Sequence, residues 1–323
     1  MSLNSHSDSS TREVKVPGSV ANLGGGFDTL AVAVQLYLRL RIIETRDDDR
    51  ASLTVVNSRP PVRGRNAVER AFETIARRTG LRAPSVYVEA DSEIPMSAGL
   101  GSSAAAVVAG LRIFERVTQP LPDDVLLGAA ASLEGHADNA AAAIHGGLTS
   151  VVERDGQEPI ALNWEWPDEL RLVVATPATG LATSKARAAL SNVVTRADAV
   201  FNLQRVLALV HALQTRDFEG LREGLGDRWH QPARAALVPQ LAEVLALEDP
   251  DVLGAFLSGA GPSVAVLARR DTGRVEQLLS SLYERSGTSA VVRTLSVHQR
   301  SDAGARAFAA VHPEQSRGVG RTV

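Results

Sequence analysis

The chain contains no cysteine among its 323 residues, only two methionines, and aromatic side chains at just 4%. The missing cysteine excludes disulfides, thiolate metal centres and a cysteine nucleophile. The scarcity of aromatics leaves the core to aliphatic side chains and alanine. No uncharged apolar run reaches the roughly 20 residues that span a bilayer. The polar start, MSLNSHSDSS, lacks the apolar stretch of a secretory signal. An excess of positive charge is also missing: 34 Lys and Arg face 37 Asp and Glu, for a net charge of −3. That argues against binding nucleic acid through a basic surface. The expectation is a cytoplasmic protein with no membrane and no nucleic-acid partner.

What is present is clear periodicity. Val32, Val34, Leu36, Leu38, Leu40 and Ile42 alternate, as in a long half-buried strand. Val68, Ala71, Phe72, Ile75 and Ala76 share one helical stripe, and Gly80 closes it. Further helices are expected at 102–116, 121–133, 139–144, 183–190, 196–214, 233–247 and 272–285. Strands are expected at 14–16, 52–56, 85–90, 147–153, 171–176 and 290–296, with a strand–turn–strand over 255–268. The elements intersperse without a regular βαβ repeat, so the fold class is α+β. The hydrophilic stretch between 153 and 171, with Asp155, Gly156 and Pro167, is the expected domain boundary. This divides the chain into a disordered leader (1–12), an N-terminal domain (13–166), a C-terminal domain (167–306) and a flexible tail (307–323).

Four clusters carry chemistry. The first is PMSAGLGSSAAA, Pro95 to Ala106. Its glycines allow positive φ and a close backbone approach. The helix that follows leaves its first N–H groups unpaired, with the positive end of its dipole beside them. That is an anion site for phosphate, although the lysine of a P-loop is absent. The second cluster is LEGHADNAAAAIHGG, Leu133 to Gly147, where Glu134 is a hard oxygen ligand suited to Mg²⁺. Asp138 in the same cluster also suits an N-cap. The third is LSGAGPSVAVL, Leu257 to Leu267, which a hairpin turn alone would explain. The fourth is an arginine pair. Arg187 lies four residues after Thr183 on one helix face, and Arg234 follows HQPA. Two guanidinium forks converging on one carboxylate would clamp an amino acid. Sequence leaves open whether they converge.

Taken in order, PGSVANLGGGFD, PMSAGLGSSAAA and LSGAGPSVAVL resemble three motifs of the GHMP kinase superfamily. Within it, SVANLGGGFDTLAVAV, EGHADNAAAAIHGG, TSKAR, FNLQR, HQPAR and AGAR are most similar to homoserine kinases. The resemblance runs from Val14 to Arg306. The departures are small: Gly25 and Ala137 stand where the family commonly has proline. The resemblance implies an N-terminal domain carrying the ATP loop, a ferredoxin-like C-terminal domain, and an active site between them. It implies transfer of the ATP γ-phosphoryl group to the hydroxyl of L-homoserine, giving O-phospho-L-homoserine for threonine biosynthesis, by a homodimer.

By the same resemblance, ATP phosphates fall to Pro95, Met96, Ser97, Ala98, Gly99, Leu100, Gly101, Ser102, Ser103, Ala104 and Ala105, and the base to Asn66. Mg²⁺ falls to Ser103 and Glu134. Arg187 and Arg234 would take the homoserine carboxylate. Asn22, Asp28 and Asp138 would take its ammonium and hydroxyl, with Thr183 on the substrate side. Asp138, Asn139 and Arg187 are the implied catalytic groups, with positioning favoured over base catalysis for Asp138 and Asn139. His136 would touch the substrate or orient its loop; His230 receives no role. Two other readings stand beside this one. One is a GHMP kinase for an isoprenoid precursor, a sugar or shikimate. The other is a non-catalytic ATP or metabolite sensor on the same scaffold.

Overall fold

A computed structural model describes residues 12–48, 50–62, 66–269 and 271–300. The expected leader and tail, and the AGAR motif, lie outside the described residues. The first half runs β1 (Glu13–Ala21), β2 (Leu30–Arg46), β3 (Leu53–Arg59), α1 (Ala67–Thr79), β4 (Ser85–Ser92), α2 (Ser102–Val117), α3 (Asp123–Glu134), α4 (Asp138–His145), β5 (Leu148–Val152) and β6 (Ile160–Trp164). These strands form one sheet in the order β3-β4-β2-β5-β6, with β1 paired antiparallel to β2. The alternating residues of β2 face the main core beside Phe72, Ile75 and Phe114. Its other face, near Ala31 and Ala33, is also covered, by Ala142 of α4. Alanine-rich EGHADNAAAAI thus suits a helix wedged close against the sheet.

The second half runs β7 (Arg171–Pro177), α5 (Thr183–Ala188), α6 (Arg196–Thr215), α7 (Leu221–Gly224), α8 (His230–Arg234), α9 (Leu241–Leu245), β8 (Gly254–Leu257), β9 (Val264–Ala268), α10 (Gly273–Arg285) and β10 (Ala290–Leu295). Its sheet has the order β10-β7-β9-β8 and is antiparallel throughout. With α9 and α10 on one face, this is the βαββαβ ferredoxin-like arrangement. Alternation decides the two faces. Val173, Val264 and Val266 join Leu241, Val244, Val275 and Leu279 in one core. Leu172, Val174, Ala265 and Leu267 face the other way, join α6 through Leu209, Ala212 and Leu213, and merge with the core of the first half. The connection from Trp164 to Arg171 separates the two sheets, yet one apolar core runs across it.

Three expectations change. The strand expected to stop at Val16 continues through Pro17 to Ala21, with a register shift between Pro17 and Gly18. The shift leaves Gln35 and Leu36 of β2 without a β1 partner, next to the proline that cannot donate to the ladder. The stretch expected to be only a boundary contains β6, which pairs with β5. The helix expected over 233–247 is broken into α8, a 3₁₀ turn at Ala235–Leu237 and α9. Pro239 has no N–H to continue a helix, and Gln240 has φ 58°. Among the described residues no helix is long and apolar enough to cross a membrane.

Candidate active site

The glycine loop is tied down from behind. Four successive carbonyls are claimed: Ser97 by Leu181 N (3.1 Å), Ala98 by Ser263 N (3.2 Å), Gly99 by Ser258 Oγ (2.6 Å) and Leu100 by Ser19 N (3.1 Å). Ser97, Gly99 and Gly101 have φ of 53°, 77° and 70°, which reverses the chain in a few residues. With the carbonyls committed, the amides of Gly99 to Ser103 keep no acceptor among the described residues. Gly101 is the N-cap of α2 and has no side chain to cap it. The loop therefore presents bare N–H groups and the positive end of a 16-residue helix. Of the residues expected to hold phosphates, Ala98, Leu100, Ala104 and Ala105 have side chains buried in the core. Only their backbone can serve. Met96 is exposed at the loop's tip beside Pro95.

Ser103 follows in the first turn of α2, and its Oγ donates to Glu134 Oε1 at 2.8 Å. A hydroxyl and a carboxylate oxygen side by side, next to the anion cradle, fit a Mg²⁺ ion shared with phosphate oxygens. Asn66 stands apart from these contacts. It is the N-cap of α1: its Oδ1 accepts from Glu69 N (3.1 Å), and Glu69 accepts in return from Asn66 N (3.2 Å) and from Val55 N (3.1 Å). Its side-chain oxygen is thus committed to a capping box.

The turn of the third cluster, Ser258 to Gly261, joins the halves of the site. One side of it touches Gly99. The other side presents Gly259 O, which accepts from Asn22 Nδ2 (2.9 Å) and from Arg234 Nη1 (3.1 Å). This is more than the hairpin that sequence alone suggested. Asn22 Oδ1 in turn accepts from Asp28 N at 3.1 Å. Asn22, Leu23, Gly24 and Asp28 all have positive φ, so the GGGFD loop is tightly wound. Asp28 receives both Nη atoms of Arg187, at 2.7 and 2.9 Å. That ion pair raises the Arg187 pKa further above its ordinary value. Asp28, His136 and Asp138 bring one ligand-capable atom each within 4.8 Å of one another.

Asp138 is 1% exposed. Its Oδ1 takes His136 Nδ1 (2.8 Å), Asn139 N (2.8 Å) and Asn139 Nδ2 (3.2 Å). The hydrogen bond to Asp138 raises the His136 pKa above its ordinary value. That hydrogen bond ties His136 to Asp138 within this loop. Asn139 Oδ1 is held by Ser19 Oγ at 2.8 Å, which turns its amide nitrogen toward Asp138. Thr183 begins α5, two residues beyond Leu181, whose amide binds the glycine loop.

The two arginines both approach Phe27. Their guanidinium carbons lie 5.5 Å (Arg187) and 5.2 Å (Arg234) from the Phe27 ring centroid. Arg234 is 1% exposed. Its Nε donates to Ala186 O (3.2 Å), and Nη1 to Gly259 O and toward His230 Nδ1 (3.3 Å). Among the described residues no carboxylate lies within ion-pair distance of it. Burial, and then the charge of Arg187, lower its pKa to about 10. Sequence reasoning missed Ser19, Phe27, Ser258 and His230. The available signal was local: each lies inside a motif already marked, and His230 precedes Arg234 by one helical turn.

The family models "GHMP kinases N terminal domain" and "GHMP kinases C terminal" match residues 66–147 and 209–287. A homoserine kinase of Solibacter usitatus is 36% identical over 294 residues, covering 89% of this chain and 95% of that protein. The crystal structure of a homoserine kinase from Cytophaga hutchinsonii superposes with a TM-score of 0.79 at 25% identity, covering 93% of this chain and 98% of the other. The mevalonate kinase of Methanococcus jannaschii shares the fold, with a TM-score of 0.65 at 14% identity over 89% of this chain and 98% of the other.

Proposed function

The chain belongs to the homoserine kinases, ATP-dependent enzymes of the GHMP kinase fold, and from that membership we propose how its cleft phosphorylates the side-chain hydroxyl of L-homoserine. The observation that carries this reading is Arg234, a buried guanidinium with no carboxylate partner among the described residues. An enclosed charge without a counter-ion is costly, and the carboxylate of an amino acid offsets that cost. The same substrate brings an ammonium. The Asp28–Arg187 pair beside Arg234 offers opposite charges to the two ends of that zwitterion. Arg187 joins Arg234 on the carboxylate, and Asp28, with Asn22 and Asp138 nearby, takes the ammonium.

Phosphoryl transfer needs alignment and charge neutralisation more than covalent help. The amides of Gly99 to Ser103 and the α2 N-terminus hold the ATP phosphates and neutralise charge as the γ-phosphoryl group moves. Mg²⁺ held by Ser103 and Glu134 would add Lewis-acid neutralisation of the phosphate oxygens. Asn139, fixed by Ser19, and Thr183 direct the acceptor hydroxyl. Asp138 is built as an orienting group, with one oxygen committed to three donors. A homodimer and a cytoplasmic place of work belong to the same reading and rest on the family alone.

Three outcomes test these roles. ATP-dependent phosphorylation should be strong with homoserine and weak with mevalonate, galactose or shikimate; turnover of another alcohol without homoserine would overturn the reading. In the same assay Asp138→Asn should raise the homoserine KM while kcat falls less than about tenfold. A dedicated base would cost kcat about a hundredfold or more with KM unchanged. Separately, Glu134→Gln should raise the Mg²⁺ concentration for half-maximal rate by about tenfold, the usual scale for losing one charge-assisted contact. An unchanged Mg²⁺ titration would remove Glu134 from that role.

A further inference from the structure

His230 is fully buried at the start of α8 and belongs to no step derived above. Its two ring nitrogens meet opposite demands. Nε2 lies 2.7 Å from the carbonyl oxygen of Gly24. A carbonyl only accepts, so Nε2 carries the proton. Nδ1 lies 3.3 Å from Arg234 Nη1. A guanidinium only donates, so Nδ1 must offer its lone pair. One species satisfies both: the neutral imidazole protonated at Nε2.

The surroundings support that species. Burial lowers the His230 pKa below its ordinary value, against the pull of Asp227. Asp227 approaches Nε2 at 3.5 Å, but its oxygens are already taken by Asn202 Nδ2 (2.7 Å), Trp229 N (2.9 Å) and Gln231 N (2.7 Å). Asp227 therefore fixes the backbone on both sides of His230. The ring also lies tilted against Phe27, with centroids 5.4 Å apart.

The consequence falls on Arg234. Gly259 O and His230 Nδ1 occupy both hydrogens of Nη1, and Ala186 O occupies Nε–H. The two hydrogens of Nη2 remain, so one nitrogen of the planar group is left to donate, in one orientation. We propose that His230 is a positioning residue that locks the Arg234 guanidinium so that Nη2 faces the substrate carboxylate. This rests on the reading of Arg234 given above. It also couples the GGGFD loop, through Gly24, to the arginine contributed by the second half of the chain.

The test uses the full-length protein and two amide variants. In His230→Asn the side-chain oxygen stands near the place of Nδ1 and can still accept from Arg234. In His230→Gln the amide nitrogen reaches toward Gly24, and no acceptor faces Arg234. Each is assayed with homoserine and with 3-amino-1-propanol, which keeps the hydroxyl and the ammonium but lacks the carboxylate. The readout is the ratio of kcat/KM for the two alcohols, with circular dichroism confirming the fold. His230→Gln should lower that ratio by about tenfold, as for loss of one hydrogen bond to a charged group, through the homoserine KM and with the ATP KM unchanged. His230→Asn should stay within about threefold of wild type. The proposal is overturned if both variants lose activity on the two alcohols by the same factor, or if Asn lowers the ratio as much as Gln. A wild type that does not prefer homoserine to 3-amino-1-propanol removes the reading of Arg234 itself, and this proposal with it.

Discussion

Arg234→Met lowers kcat/KM for homoserine by roughly a thousandfold, the scale for removing one member of a buried, hydrogen-bonded charge pair. The loss falls on the homoserine term and leaves the KM for ATP nearly unchanged, because Arg234 faces the acceptor side of the Ser258–Gly261 turn. Stability should behave differently. The free protein already bears the cost of a buried guanidinium whose pKa is lowered to about 10 by burial and by Arg187. Exchanging such a group for an apolar one of similar length is often neutral or stabilising. Gly259 O keeps Asn22 Nδ2 as a donor when Arg234 is removed. Ala186 O and His230 Nδ1 lose their donor, a cost of about 1–3 kcal/mol each that relief of the buried charge offsets in large part, so the expected loss of unfolding free energy is no more than about 2 kcal/mol. Homoserine should raise the melting temperature of the wild type and not of the variant. Urea titration together with steady-state kinetics decides the matter. A variant that loses stability and ATP affinity along with homoserine turnover would make Arg234 a structural residue.

Gly99→Ala is the second large effect, on stability and ATP together. Gly99 has φ 77°, and a Cβ there would meet the Ser258 carbonyl oxygen at 2.3 Å and Gly261 N at 3.0 Å. Both neighbours are backbone, so neither can swing aside. Positive φ alone costs an alanine about 1 kcal/mol. The collision adds to that, and the expected destabilisation is roughly 3 kcal/mol. The loop must also leave the turn that holds its carbonyls, so its amides lose their common direction. The ATP KM should rise by about tenfold or more, as expected when a preorganised anion site is disordered. Gly80→Ala is the control. Gly80 has φ 66°, but nothing lies within 4 Å of its Cβ position. That change should cost only the conformational term of about 1 kcal/mol and leave ATP binding intact. Equal effects at the two positions would mean that the contact with Ser258 does not matter.

Local elements were legible because their signals are local. The Val68–Ala76 stripe with Gly80 became α1 as read, and the alternation from Val32 to Ile42 became β2. PMSAGLGSSAAA read as a loop before a helix, and it is one. The errors occur where a neighbour overrides the local text. β1 outruns Pro17 because β2 continues alongside it. β6 is visible only once β5 offers an edge. The 233–247 helix breaks at Pro239 and Gln240, whose neighbours are apolar enough to have looked continuous.

By itself, the sequence determined most of the strands and helices, that a glycine loop at the head of α2 can cradle an anion, and which residue types stand ready for phosphate, metal and carboxylate. Only the tertiary structure decided how they meet. It ties the loop's carbonyls back to Ser19, Leu181, Ser258 and Ser263, and so aims the amides forward. It brings Asn22 to Gly259 across 237 positions and Ser19 to Asn139 across 120. It sets both arginines beside Phe27, yet gives Asp28 to one and, among the described residues, no counter-ion to the other. The physical reason is range. Periodicity and capping act over one or two turns of chain, whereas hydrogen-bond direction and charge pairing depend on groups that meet only after the two sheets have packed on a common core.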